Sequence, residues 1–193
     1  MKTVFVDVDT QIDFLFPAGA LYVPGAEKLV PTLARLNRYA AEHGIPLIST
    51  TDAHDENDPE FYQWPPHCIA GTLGQHKPPE TLLDRQTIIP NAPAGLPAAL
   101  EPQIIVLKHS LNCFENPNLP ALLERLNADR YVVYGVVTEY CVRRAALGLL
   151  KTGKPVEVVV DAIRSIDEKD AARTMNEIQS GGGALISVEQ VCV

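Results

Sequence analysis

The chain opens on the β-branched and aromatic run "TVFVDV" at residues 3–8, a pattern that suits a buried strand. Leu29, Leu33, Leu36 and Ala40 then recur at helical spacing, and Gly44 stops the helix. "IPLIST" at 45–50 is a second apolar run. From Asp52 to about Pro102 the periodicity lapses into a polar, proline-rich stretch. That is too long for a passive connection in a compact domain, so function is expected within it. The strand pattern resumes with "QIIVLKH" at 103–109, followed by the helical "NLPALLERL" and the strand "RYVVYGVV". Val142, Ala145, Ala146, Leu149 and Leu150 form one apolar helical stripe, and "PVEVVVDA" reads as a further strand. Ser165 and Glu168 make a capping-box signature before a helix carrying Ala171, Met175 and Ile178. Glycines 181–183 end that helix, and "ALISV" is a last short strand. Strands alternating with helices require crossover connections, which predicts an α/β fold with a mainly parallel sheet and helices on both faces.

Composition narrows the picture. With 193 residues the chain is expected to fold as a single domain over 1–193, and 46% hydrophobic residues are ordinary for a globular protein. A net charge of −8 argues against a nucleic-acid partner. No apolar run is long enough to span a bilayer, and the early Asp7 is unlike a secretory signal, so a cytoplasmic protein is expected. Cys68, Cys113, Cys141 and Cys192 are widely separated and read as individual thiols in a reducing compartment.

In a parallel sheet, ligands bind beyond the carboxyl ends of the strands. The residues there are Asp9, Asp52, Lys108, the segment "GVVTEYC" and Asp161. The strand before Cys141 ends near Val136 or Val137, which puts Cys141 in the first turn of the next helix, where free N–H groups and the helix dipole favour an anion. Its thiol is therefore expected to titrate below the free-cysteine value of about 8.5. Read alone, the segment fits a nucleophile and a small packing residue equally well. Asp9 and Lys108 should reach the same sheet edge, where a carboxylate can take the thiol proton and an ammonium can steady both.

These segments resemble the isochorismatase-like cysteine hydrolases. "VDVDTQIDF" is similar to that family's opening D-x-Q-x-D-F, "VLKHS" to its lysine segment, and "GVVTEYCVRRAA" to its nucleophile segment, in order along nearly the whole chain. The resemblance implies a six-stranded parallel sheet in a three-layer α/β/α arrangement, and a catalytic set of Asp9, Lys108 and Cys141. It also implies a cis peptide between Val136 and Val137, with the N–H groups of Val137 and Cys141 forming the oxyanion hole.

"TTDAHDEND" places Asp52 and His54 at i and i+2, a carboxylate–imidazole pair that suits a divalent ion. Together with "WPPHCIAGT" it resembles the nicotinamidase and pyrazinamidase branch, which implies one Zn, Fe or Mn ion held by Asp52, His54 and His67 in a metal-binding insertion around residues 52–80. Cys68 is then a bystander. Some members carry a further histidine in the intervening loop; here "DENDPEFYQ" has none, and Glu60 or water completes the shell. The branch implies deamidation of nicotinamide to nicotinate and ammonia through a cysteine thioester, a step in NAD salvage. Phe14, Trp64 and Tyr140 would then enclose the substrate, Gln11 would support the metal waters, and Asp13 would be structural. The alternative is a related amidohydrolase acting on another small amide or a ureide. The expected partner is a small-molecule amide rather than nucleic acid or membrane, and a homo-oligomer is compatible with this reading.

Overall fold

The structure is a computed structural model and describes residues 1–192. Seven strands, β1 (Thr3–Val8), β2 (Leu47–Asp52), β3 (Gln86–Ile89), β4 (Gln103–Lys108), β5 (Arg130–Val136), β6 (Val156–Arg164) and β7 (Ala184–Ile186), form one sheet in the order β3-β4-β2-β1-β5-β6-β7. Every neighbouring pair is parallel. The helices are α1 (Ile12–Leu15), α2 (Val30–Glu42), α3 (Leu119–Leu126), α4 (Arg143–Leu150), α5 (Glu168–Ser180) and α6 (Val188–Val191). None of the described helices is long and apolar enough to cross a membrane.

Two cores make this a three-layer fold. On one face Val4, Val6 and Val8 pack with Leu122 and Leu126 of α3, Ala145 and Leu149 of α4, and Ile178 of α5. On the other, Phe5, Leu47 and Val132 meet Leu33, Leu36 and Ala40 of α2, Leu15 of α1, and Val188 and Val191 of α6. The helical stripe read between residues 29 and 40 is thus the buried face of α2, where each enclosed leucine contributes about 1.5–3 kcal/mol.

Two expectations are corrected. The sheet has seven strands, not six: β3 lies inside the stretch taken as irregular. It is four residues long and at the sheet edge, and only Thr87 and Ile89 turn inward, too little alternation to stand out. The helix cap at α5 is Asp167, whose Oδ1 accepts from the N–H groups of Lys169 and Asp170, so Ser165 is not part of a capping box. A short carboxylate nearer the helix takes the first free N–H groups before Ser165 can.

The strand order places the site. After β1 the chain lays β2 beside it, β3 at the sheet edge and β4 between them, then returns to the opposite flank of β1 as β5. The carboxyl ends of β1 and β5 therefore border the crevice where this order reverses. Close approach there depends on Gly135, at φ +123°, where a Cβ would collide with the main chain of Val8. Gly135→Ala is expected to destabilise the protein by about 3 kcal/mol or more, because backbone, unlike a side-chain tip, cannot swing aside. Urea denaturation checks this.

Candidate active site

Asp9 directly follows β1 and adopts a left-handed φ of 52°, with the Gln11 N–H donating to its carbonyl at 2.8 Å. This turn directs the carboxylate toward β2 and β4. Oδ1 accepts from Thr50 Oγ1 at 2.6 Å, and Oδ2 lies 2.8 Å from Lys108 Nζ but takes part in no well-directed hydrogen bond. It therefore keeps capacity to accept a proton. Lys108, the last residue of β4, also pairs with Asp52 Oδ1 and donates to Ser110 O at 2.9 Å. Both Lys108 and Asp52 are about 1% exposed, and Asp9 is fully buried. One ammonium thus joins the candidate base to the candidate metal ligand.

Cys141 lies in a turn of π-helix (Thr138–Val142) that leads into α4, and the Val142 N–H donates to Val137 O at 3.1 Å. The Val136–Val137 peptide is cis, as the resemblance implied. Cys141 Sγ is 4.0 Å from Lys108 Nζ, with the Asp9 carboxylate beside it. Residues from the turn after β1, the end of β4 and the π-helical turn after β5 therefore meet at one point.

One electrostatic expectation is reversed. The Cys141 thiol is raised well above its ordinary value, first by burial, and then by the carboxylates of Asp9 and Asp52. Lys108 pulls the other way without offsetting them. Desolvation of a fully enclosed thiolate outweighs a helix terminus, so the resting sulfur is protonated and needs a base during attack. Lys108 stays charged: burial works against the ammonium, but Asp52 and Asp9 more than compensate.

Asp52, His54 and His67 converge, each offering a ligand atom within 4.8 Å of the others. All three are buried. His54 Nδ1 meets Asp58 Oδ2 at 2.9 Å, whereas its Nε2 is buried without a hydrogen-bond partner. An imidazole oriented from one side and unsatisfied on the other is what a metal ligand requires. His67 Nδ1 is held at 2.8 Å from Pro65 O, and burial lowers the ring below its usual titration range, keeping it neutral. One carboxylate with two imidazoles fits a divalent Zn, Fe or Mn ion. Glu60 Oε1 lies 4.0 Å from His67 Nε2, outside the triad, and its carboxyl is raised by burial.

Burial pushes the Asp52 carboxyl up to about 7, with Lys108 pulling it down and Asp9 pushing it further up. A ligating carboxylate must be ionised. Metal affinity is therefore expected to tighten as pH rises through about 7 and to level off above it, as chelator competition across the neutral range can measure.

The remaining predicted residues divide. Phe14, Trp64, Tyr140, Val137, Asp52, Glu60, His67 and Cys141 line one cavity. Trp64 and Tyr140 meet edge to face at 5.2 Å between centroids, and Phe14 packs on the His67 ring at 5.3 Å. Gln11 acts on the main chain of Asp52: its Oε1 accepts from Asp52 N at 2.7 Å, and its Nε2 donates to Asp52 O at 2.8 Å and to Gln75 O at 2.7 Å. It holds the ligand's backbone. Asp13 is structural, accepting from the N–H groups of Ala20 and Cys68, and Cys68 is fully buried. Asp161 lies away from the site, within β6, where it accepts from the Val188 N–H at the start of α6.

Sequence reasoning missed Asp58, Phe61 and the apolar wall. Asp58 is four residues after His54, a spacing that could have suggested an orienting carboxylate. Phe61 packs on both His54 and His67, at 5.3 and 5.7 Å. Leu21, Leu111 and Ile166 come from three distant loops to complete the cavity, with no local signal.

The Isochorismatase domain family matches residues 3–190. The nicotinamidase/pyrazinamidase of Mycobacterium tuberculosis is 27% identical over 194 residues, covering 96% of each chain. The solved pyrazinamidase of Pyrococcus horikoshii in complex with zinc is 30% identical, with a TM-score of 0.80 over 97% of this chain and 99% of that one. PnC1 of L. infantum, solved in complex with nicotinate, is 25% identical, with a TM-score of 0.80 over 97% and 93%. With strand order, converging triads and a match along almost its entire length in agreement, the chain belongs to the isochorismatase family.

Proposed function

We propose that this protein is a metal-dependent cysteine amidohydrolase that converts nicotinamide to nicotinate and ammonia, feeding pyridine-nucleotide synthesis. The observation that carries the reading is the shared cavity: the sulfur of Cys141, the metal-ligating side chains of Asp52 and His67, and the aromatic rings of Phe14, Trp64 and Tyr140 all open onto it. Its lining holds no arginine and no lysine, and the nearest ammonium, Lys108, is committed to two carboxylates. Such a pocket, walled by three aromatic rings, suits a flat ring carrying a neutral amide.

Asp9 takes the proton from Cys141 Sγ as the sulfur attacks the carboxamide carbon. The negative charge passes to the carbonyl oxygen, facing the N–H groups of Val137 and Cys141, where each such donor is worth about 2.7–4 kcal/mol. Asp9 returns the proton to the departing ammonia as the C–N bond breaks, leaving a thioester on Cys141. Water deprotonated by Asp9 then splits the thioester, releasing the acid and the thiol. Lys108 keeps the Asp9 carboxylate aligned and lowers the cost of charge on the sulfur. A divalent ion held by Asp52, His54 and His67, with Glu60 or water beside it, supplies when bound a Lewis-acid anchor for the ring nitrogen.

Ammonia release from nicotinamide by purified protein of known metal content tests this reading. Turnover that is lost on chelation and restored by one of Zn, Fe or Mn is the expected result. Protein with bound metal that leaves nicotinamide intact while hydrolysing a ureide or an aliphatic amide would overturn the substrate assignment.

A further inference from the structure

Asp9 is flanked by a second buried Asp–Lys pair that the mechanism does not use. On the sheet face covered by α2, Asp7 Oδ2 lies 2.8 Å from Lys77 Nζ, and Asp7 Oδ1 accepts from Thr10 Oγ1 at 2.7 Å. Lys77 Nζ also donates to Thr10 Oγ1, closing a ring of three polar contacts. Asn37 of α2 donates to Asp7 Oδ2 at 3.0 Å and is itself held by Tyr134 OH at 2.6 Å. Asp7, Thr10, Asn37 and Tyr134 are fully buried, and Lys77 is 4% exposed.

A buried ion pair generally stabilises a fold no better than packed apolar side chains of the same volume, so stability alone does not account for this one. Its location does. Asp7 and Thr10 stand on either side of Asp9, whose φ of 52° is a conformation that side-chain-bearing residues disfavour. The Thr10–Asp7 hydrogen bond spans the turn with Asp9 inside it, and Lys77 bolts both ends from the return arm of the metal-binding insertion. Lys77 is 70 residues from Asp7 in sequence, so it ties the insertion to the base's own turn. Lys108 holds the Asp9 carboxylate and Thr50 O accepts from the Asp9 N–H at 3.1 Å, both from the β2 and β4 side; the Asp7–Thr10–Lys77 ring adds a tie across the turn itself.

We propose that Asp7, Thr10 and Lys77 are positioning residues that lock the Asp9 turn so that its carboxylate faces the Cys141 thiol. This rests on Asp9 being the base for Cys141, not on the identity of the amide.

The test compares Thr10→Val, which keeps shape and removes the hydroxyl, with Thr10→Ser, which keeps the hydroxyl. Three quantities are read: kcat and KM with nicotinamide, bound metal per chain, and the rate at which iodoacetamide alkylates Cys141, followed on the Cys141 peptide. In that alkylation the S–C bond forms, iodide leaves and the thiol proton passes to Asp9, so the rate reports base alignment without any substrate. Thr10→Val is expected to slow both kcat and alkylation by about tenfold to a hundredfold, as a misplacement of about 1 Å does, with KM and metal content unchanged. Thr10→Ser should stay within about twofold of the parent. The double variant Asp7→Asn/Lys77→Met, which removes both charges together and leaves none unpaired, should reproduce the loss. Alkylation at the parent rate in both Thr10→Val and the double variant, or equal slowing in Thr10→Val and Thr10→Ser, overturns the proposal. If the alkylation pattern holds but the parent does not turn over nicotinamide, the substrate assignment falls and the clamp stands.

Discussion

Cys141→Ala is expected to lose amide hydrolysis by on the order of 10⁴-fold or more, with the fold and metal content intact. The size of the effect follows from the absence of a substitute among the described residues. Cys113 is buried in the core, where burial pushes its thiol to about 12, and Cys68 is enclosed and raised further. Neither lines the cavity. The cost to stability is small, because trimming one buried sulfur beside Ala145 and Val142 leaves a void of about one atom, worth about 1 kcal/mol. Ammonia release measures the first quantity and urea denaturation the second. Acid-quenched parent enzyme should also carry an acyl adduct on the Cys141 peptide that the variant lacks. A variant that keeps a tenth of the parent's turnover would remove the thioester from the mechanism.

Lys108→Met has the next largest expected effect and touches stability and activity together. The ammonium is the only cation paired with two buried carboxylates, Asp9 and Asp52, among the described residues. Removing it leaves those charges uncompensated, at a cost of about 3–5 kcal/mol. A buried carboxylate without a partner is harmful only when ionised. Asp52, already raised by burial, loses the ammonium that pulls it down, so the deficit is small in acid and grows as pH rises above the ordinary carboxylate range. The thiol loses the one cation that lowers it, 4.0 Å away, and Asp9 loses its alignment. Turnover is expected to fall by about 10²–10⁴-fold, as for removal of a group that orients a general base. Urea titrations at two pH values and the ammonia assay measure both. Full turnover in a stably folded Lys108→Met protein would contradict the shared ammonium.

The legible parts of the molecule were those written in short-range pattern. Strands β1, β2, β4, β5 and β6 follow from apolar runs, and Asp9, Asp52, Lys108 and Cys141 follow from standing at their carboxyl ends. His67 was reached only through its neighbours Pro65, Pro66 and Cys68 in a recognisable segment. β3 was missed because an edge strand of four residues needs only two inward side chains. Asp58, Phe61 and Leu111 were missed because their roles depend on what they face in space, not on adjacent residues. The Asp7–Lys77 pair bridges 70 residues and has no trace in periodicity at all.

The sequence by itself determined which segments become strands and helices, and which chemically capable side chains those strands carry to one edge of a parallel sheet, because periodicity and turn chemistry act over a few residues. Only the tertiary structure decided the charge state of those side chains and their partners. Burial reversed the expected direction for Cys141, one lysine came to serve two carboxylates, and His54 was left with a bare nitrogen. Desolvation and Coulomb energies depend on distances between residues far apart in the chain, and those distances exist only once it has folded.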